Sequence, residues 1–422
     1  METLLSRTPI LQRNMVLAAS MLFMIIGTGS VYFIVVALKP ISLQFDWPRA
    51  VPSIAYALQY FAAGFGGILM GYWLDKFGLG VPAFIGATML GLGSILTCYI
   101  SNPWHLYAIY GIVMGLLGRS TLFTPLTANI TRWFEHNKSR AVGIVGSGQA
   151  LAGAVWPPIF QSSFASIGWR DTAFWYGIFC LLTMLPLAFI LKQTPPKIEE
   201  AQSEKSGKEV SSDSNKSLDL LGLSTLAVQI TLAIASIGCC VAMALPLAHM
   251  VAHVSDLGYD YETGAQLLAL MLATAGVSAF FGVGFFGKRY GGLKTIFIFS
   301  GVQGLFLFAL IFADHLWMIY LVAIFFGLGY GGVLPCYPVI VREFLPASQV
   351  GRRTALVILC ASGGMALGSW IGGALYDVTG SYSLAFIIGV GFNIFNLVII
   401  GHLIHRNTRR KKRFFRVLHQ SK

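Results

Sequence analysis

Twelve apolar stretches of about twenty residues each, separated by short polar turns, run through almost the whole chain. A helix needs roughly 20 apolar residues to cross the hydrocarbon core of a bilayer. Among open-ended structures only a helix satisfies its own backbone there. The pattern therefore predicts an all-α, polytopic membrane protein with spans at 15–38, 53–74, 81–100, 106–130, 141–164, 172–191, 223–247, 265–286, 295–313, 317–341, 354–376 and 384–403. Charged residues make up 11% of the chain, against about 25% in a soluble protein, which leaves no room for a large water-facing catalytic domain. No enzymatic activity and no cofactor are expected. The six cysteines lie in or beside apolar stretches without C-x-x-C spacing, so no zinc site is expected and they read as packing residues. Residues 1–14 carry no small-residue cleavage site and read as the lead into an uncleaved first helix.

Positive charge falls on one alternate set of connections. That set holds Arg7, Arg13, Lys76, Arg132, Lys138, Arg140, the lysines from Lys192 to Lys216, Lys288, Arg289, Lys294, Arg342, Arg352, Arg353 and the tail from Arg406. The opposite set holds Lys39, Arg49 and Arg170 beside Asp46, Asp171, Asp256, Asp260, Glu262, Asp314 and Asp377. By the positive-inside rule both termini are cytoplasmic, and a cytoplasmic (inner) membrane is the expected host. The net charge of +12 is thus topological, and no nucleic-acid partner is expected. The tail Arg409 to Arg416 is basic enough to anchor on anionic headgroups of the lipid bilayer.

The one long connection is rich in Lys, Glu and Ser and divides the chain. We read a six-helix unit at 1–192, a disordered cytoplasmic linker at 193–218, a second six-helix unit at 219–405 and a basic tail at 406–422. Three weak internal matches support duplication. Gly71 to Gly78 (GYWLDKFG) matches Gly284 to Gly291 (GFFGKRYG); Arg132 to Phe134 matches Arg342 to Phe344; Gly168 with Ala173 and Phe174 matches Gly380 with Ala385 and Phe386. Repeats of this kind characterise secondary transporters, whose sites lie between the repeats near the midplane.

The segment GYWLDKFG, in the loop after the second span, resembles the G-x-x-x-D-[RK]-x-G loop of the major facilitator superfamily. Gly71 permits close helix approach, Asp75 is suited to capping a neighbouring helix N-terminus, Lys76 stays on the charged side, and Gly78 closes the motif. The second copy has Lys288 where the pattern wants Asp. The segments Trp133 to Pro158, Gly168 to Trp175 (GWRDTAFW) and Gly327 to Pro346 resemble the bacterial branch related to monocarboxylate and oxalate:formate carriers. The resemblance implies two pseudo-symmetric six-helix bundles and a small organic anion as substrate. The chain departs from that branch by lacking the arginine of the eighth span (VSAFFGVG, 277–284) and the lysine of the eleventh.

One charge lies unambiguously mid-span. Arg119 is 13 residues from Leu106 and 11 from Ile130, a placement that costs roughly 2.5–3.5 kcal/mol on insertion scales. No Asp or Glu falls inside the spans to pair with it. Its partner is either a substrate anion in a wet cavity, which the resemblance favours, or the backbone carbonyls of a broken helix. Ser120, Thr124, Thr127 and Thr131 share an arc of about 60° beside it and serve either the cavity or helix packing. Tyr32, Gln59, Tyr60, Gln149 and Tyr330 are further mid-span groups able to donate hydrogen bonds to a carboxylate without charge. His249 and His253, four apart on one face of the seventh span, are candidates for proton coupling; as a metal pair they lack a third ligand.

These features read as a secondary transporter, working as a monomer, that takes up a small carboxylate by alternating access, down its gradient or with a proton. An exporter of a metabolite or siderophore with the same fold, or a transport-dead membrane sensor or scaffold, fits the same features. The topology is checked by labelling a single cysteine at Ser211. An impermeant thiol reagent should leave it unmodified in intact cells and modify it after permeabilisation, and labelling in intact cells contradicts the assignment.

Overall fold

The structure, a computed structural model, describes residues 7–134, 138–193, 223–346 and 349–420, and the side chains of all of these except 7–10, 138–140, 281–284, 288 and 411–420. The expected linker at 193–218 lies outside the described residues apart from Gln193. The described residues form helices and connecting turns, with no strand.

Among the described residues, eleven helices are long and apolar enough to cross a membrane. One of them, Ala141–Leu191, has 51 residues and at ~1.5 Å per residue is more than twice the length a bilayer needs. It turns back at Gly168, whose φ of 79° is a conformation glycine adopts without the penalty a Cβ brings. The chain therefore makes twelve crossings. We name them α1 (Arg7–Phe45), α2 (Ala50–Phe77), α3 (Gly80–Thr97), α4 (Pro103–Trp133), α5 and α6 (138–167 and 169–191, either side of Gly168), α7 (Thr225–Asp256), α8 (261–290), α9 (Gly292–Leu310), α10 (Leu316–Phe344), α11 (Val350–Thr379) and α12 (Ser383–Gln420). The helices overrun the expected apolar spans at several ends, and the α12 backbone stays helical to Gln420, past the expected end at Leu403. An even number of crossings places both described ends of the chain at one face, here called the near end.

Burial identifies the inner helices. The most apolar window is 83% buried in α1 and 72% in α7, against 33–56% in the others. Both are apolar all round because their neighbours enclose them. Within the first six helices, α1 is fixed by donors reaching its carbonyls: Trp156 Nε1 to Ile25 O at 2.9 Å and Tyr176 OH to Ile26 O at 2.6 Å. Trp156, Phe160 and Tyr176 pack ring on ring with centroids 5.0–5.1 Å apart. In the second six, Gln303 Nε2 donates to Cys239 O at 3.0 Å and Asn396 Nδ2 to Ser300 Oγ at 2.7 Å. Buried polar groups in hydrocarbon survive when each donor has an acceptor, and these side chains meet that condition.

The two sets of six meet along α2 with α11 and α5 with α8. Ser369 Oγ of α11 donates to Ser53 O of α2 at 3.2 Å, and a Cβ on Gly153 of α5 would sit 2.6 Å from Leu272 of α8. Hydrogen bonds and ion pairs between the two sets, among the described residues, all cluster at the far end, around Lys39, Arg49, Ser53, Asp256, Ser369 and Asp377. Toward the near end a Cβ on Gly71, Gly143, Gly287 or Gly351 would meet no atom within 4 Å. The far end is sealed and the near end is splayed.

Glycine contacts make this packing testable. A Cβ on Gly66 would fall on the Leu116 carbonyl oxygen and 2.6 Å from Ser120 Cβ, whereas one on Gly71 meets nothing. Gly66→Ala should destabilise the purified protein by about 1–3 kcal/mol through overpacking, while Gly71→Ala leaves its thermal midpoint unchanged. Equal midpoints for the two variants contradict the α2–α4 contact.

Candidate binding site between the two sets of helices

The α4 crossing is irregular where it carries its charge. A wide turn over Ile109–Gly118 leads into a 3₁₀ turn at Arg119–Thr121 before the regular helix Phe123–Trp133. Pro125 lacks an N–H for the ladder, and Gly111, Gly115 and Gly118 lower the resistance to rewinding. Ser120 Oγ donates to Leu116 O at 2.5 Å and Thr121 Oγ1 to Gly118 O at 2.7 Å, so the loosened carbonyls are capped by side chains of the same helix. Widened turns of this kind recur at functional sites. The α10 crossing is interrupted in the corresponding place, between Gly331 and Val333, with Tyr330 in the last turn before the break.

Arg119 lies with its guanidinium carbon 4.1 Å from the centroid of the Tyr60 ring. Its Nη1 is buried and has no hydrogen-bond partner. The ion pairs among the described residues are Lys39 with Asp256, Arg49 with Asp256 and Arg132 with Asp75; none involves Arg119. A cation–π contact contributes ~0.5–2 kcal/mol, less than the ~2.5–3.5 kcal/mol charged for a mid-span arginine. The ring therefore does not compensate the charge by itself, and the buried Nη1 keeps an unused hydrogen-bond donor. No carbonyl of a neighbouring helix takes a hydrogen bond from Arg119 among the described residues.

Phenols surround this cation. Tyr32 of α1 is within electrostatic reach of Tyr60 and Arg119; Tyr56 of α2 of Tyr60, Tyr32 and Arg119; and Tyr330 of α10 of Tyr32 and Tyr60. The Tyr56 and Tyr60 rings lie 4.8 Å apart. Arg119, Tyr32, Tyr60 and Tyr330 are thus brought together from both sets of helices. Tyr56 joins them and was absent from the sequence reading, although its spacing of four from Tyr60 puts it on the same face of α2.

The remaining candidates point elsewhere. Gln59 is fully buried, and its Nε2 donates to Ser30 Oγ of α1 at 3.0 Å. Ser120 packs against Gly66 with its hydroxyl on its own helix. Thr127 and Thr131 likewise bond to carbonyls of α4. Only Thr124 of that stripe leaves its hydroxyl free; it is exposed beside Gly67. Gln149 is half-buried on α5, next to Gly148, which packs on Met21 and Met24.

His249 and His253 lie away from Arg119, toward the far end of α7. His249 is fully buried with Nε2 2.9 Å from Ser369 O, and its ring is 4.9 Å from that of Tyr382. The His253 ring is 5.9 Å from Tyr382 and 5.1 Å from Phe386. At the near end, Gly78 closes α2 with φ 74° and Lys76 lies over Phe77 at 5.2 Å. Asp75, expected to cap a neighbouring helix, instead pairs with Arg132 of α4 at 2.5 Å, since the guanidinium offers its carboxylate a full opposite charge. In the second set the capping role falls to Glu343, whose carboxylate accepts the Gly292 N–H at 3.0 Å at the start of α9.

Comparison with known proteins follows this geometry. The family model described as Major Facilitator Superfamily matches residues 17–302 and 230–417. The chain is similar to monocarboxylate transporter 13 of Rattus norvegicus, 24% identical over 385 residues that cover 89% of this chain and 83% of that one. It is also similar to the uncharacterized MFS-type transporter YcxA of Bacillus subtilis, 23% identical over 361 residues, covering 84% and 86%. Among solved structures it resembles a bacterial homologue of the human lysosomal transporter Spinster, described as inward-facing and occupied, with a TM-score of 0.67 at 14% identity, covering 94% and 95%. The matched proteins are transporters, and with a family model spanning nearly the whole chain, this multi-pass membrane protein belongs to the Major Facilitator Superfamily.

Proposed function

We propose that the protein takes up a small organic anion, of the monocarboxylate type, across the cytoplasmic membrane, and that Arg119 meets the negative group of that substrate. The observation that carries this reading is the buried, unpartnered Nη1 of a mid-span arginine that lies over the Tyr60 ring, with Tyr32 and Tyr56 within electrostatic reach. An anion supplies the acceptor that the chain withholds, and charge-assisted hydrogen bonds to a guanidinium are about twice as strong as neutral ones. Tyr32, Tyr56, Tyr60 and Tyr330 add neutral donors and apolar walls, so a carboxylate with a modest hydrocarbon body fits better than a bare inorganic ion. The names of the similar monocarboxylate transporters point the same way.

With both termini cytoplasmic, as the lysine and arginine distribution favours, the splayed near end faces the cytoplasm and the sealed far end faces outward. The state described is then the one that releases an imported substrate. Transport proceeds by rocking the two sets of helices about the Arg119 level, between the broken crossings α4 and α10. Gly71, Asp75, Lys76 and Gly78 act in the near-end closure that the present state lacks.

The binding role is tested on purified, monodisperse protein by thermal shift against a panel of small carboxylates, since a ligand of the native state raises its apparent stability. Arg119→Lys keeps the charge and loses the planar fork, and should weaken affinity about tenfold. Arg119→Gln should fold as well as the parent, because it relieves the insertion penalty. Its affinity should fall by ~2–5 kcal/mol, some thirtyfold or more. Wild-type affinity in a monodisperse Arg119→Gln variant contradicts the assignment.

A further inference from the structure

The far end is closed by one buried arginine. Arg49, 9% exposed at the start of α2, donates from Nη2 to Asp256 Oδ1 of α7 at 2.8 Å, from Nη1 to Asp256 Oδ2, and from Nη1 to the Tyr382 hydroxyl at 3.0 Å. Its guanidinium carbon lies 3.6 Å from the centroid of the Tyr376 ring on α11. Lys39 of α1 adds a second cation to Asp256 at 2.8 Å. Asp377 of α11 accepts the backbone N–H groups of Arg49 at 2.7 Å and Ala50 at 2.8 Å. These contacts tie α1 and α2 to α7, α11 and the α11–α12 connection, so the far end opens only if they part.

Directly beneath lie the two histidines that the anion site does not use. A carbonyl oxygen only accepts, so the 2.9 Å contact with Ser369 O places the His249 hydrogen on Nε2 and its lone pair on Nδ1. That Nδ1 is buried with no partner, as is His253 Nε2. Both rings pack on Tyr382, whose hydroxyl is held by Arg49. The charged and titratable groups facing His249 are Arg49 from α2, His253 from its own helix and Tyr382 from the α11–α12 connection. Those facing His253 are Asp256 from α7, Asp314 from the α9–α10 connection and Tyr382. A proton on His249 Nδ1 finds no acceptor from the chain while the far end is closed, and adds a positive charge facing Arg49. A proton on His253 competes with Arg49 for Asp256.

We propose that His249 and His253 form a proton-operated release for the Arg49–Asp256 latch, with proton uptake from the far side favouring the opened far end. The inference stands on far-end geometry and is independent of the anion site. The sign follows from linkage: opening exposes His249 Nδ1, which the closed end leaves without an acceptor from the chain, and a proton on His253 draws Asp256 away from Arg49, so falling pH shifts the population toward opening. The shift is at most about tenfold per pH unit for each proton taken up.

The test needs no substrate. Spin labels on cysteines at Leu43 and Val378, both exposed at the far end on opposite sets of helices, report opening by pulsed electron resonance in lipid nanodiscs, with the native cysteines replaced. Lowering the pH from about 7.5 to about 5.5, across the histidine range, should raise the long-distance fraction at least severalfold in the parent. His249→Gln, which keeps an N–H for Ser369 O, should remove most of that response, and the double variant with His253→Gln all of it. Arg49→Gln should open the far end at both pH values. An unchanged distance distribution in the parent across this range overturns the proposal even if the histidine variants fail to fold. An undiminished acid response in the double variant, or a closed Arg49→Gln protein, overturns it as well.

Discussion

A guanidinium held in the middle of a bilayer without a carboxylate is the constraint around which this molecule is arranged. Arg119 is tolerated because α4 loosens its ladder around it, because the Tyr60 ring lies beneath it at 4.1 Å, and because phenols from α1, α2 and α10 supply a polar but uncharged surround. None of these neutralises the charge. The anion we propose as substrate supplies the opposite charge that these groups do not. Tyr330 comes from the second six helices and the others from the first. A ligand seated between them touches both sets and can sense their relative position, which is the requirement for coupling binding to rocking.

The two ends of the molecule differ in what holds them. At the far end a cation with 9% exposure shares one carboxylate with a lysine, and Asp377 caps the first turn of α2 across the divide. Charge pairs shielded from water are strongly coupled when both partners stay in place, and removing either leaves a costly orphan. At the near end the described ion pair, Asp75 with Arg132, is solvent-exposed and lies within one set of helices, where such pairs contribute ~0–1 kcal/mol. The state seen is therefore stabilised from the far side, and a transport cycle has to weaken that side in order to turn over.

Much of this was legible in the amino-acid order. Apolar periodicity located every crossing, including the pair joined at Gly168, and the scarcity of mid-span charge singled out Arg119. Tyr32, Tyr60 and Tyr330 were visible as mid-span polar groups. Depth says little of direction, however. Gln59 sits one residue from Tyr60 yet turns by about 100° on the helix to brace Ser30. The hydroxyl of Ser120 had its own Leu116 carbonyl within reach, an option open to any helical serine or threonine. The far-end latch was hidden for a different reason: Arg49, Asp256 and Asp377 stand more than two hundred or three hundred residues apart in sequence, and as loop charges they read only as topology. The near-end motif was recognisable by its letters, but the pairing of its Asp75 with Arg132, 57 residues away, was not.

The central claim is that one anion site, centred on Arg119, is exposed alternately to the two sides. Counterflow in proteoliposomes tests it most directly. Vesicles loaded with an unlabelled small monocarboxylate and diluted into a trace of the same labelled compound should accumulate label transiently above equilibrium, and vesicles carrying Arg119→Gln should not. Absence of counterflow across a panel of monocarboxylates, from correctly inserted and monodisperse protein, contradicts the account, as does undiminished counterflow in the Arg119→Gln vesicles.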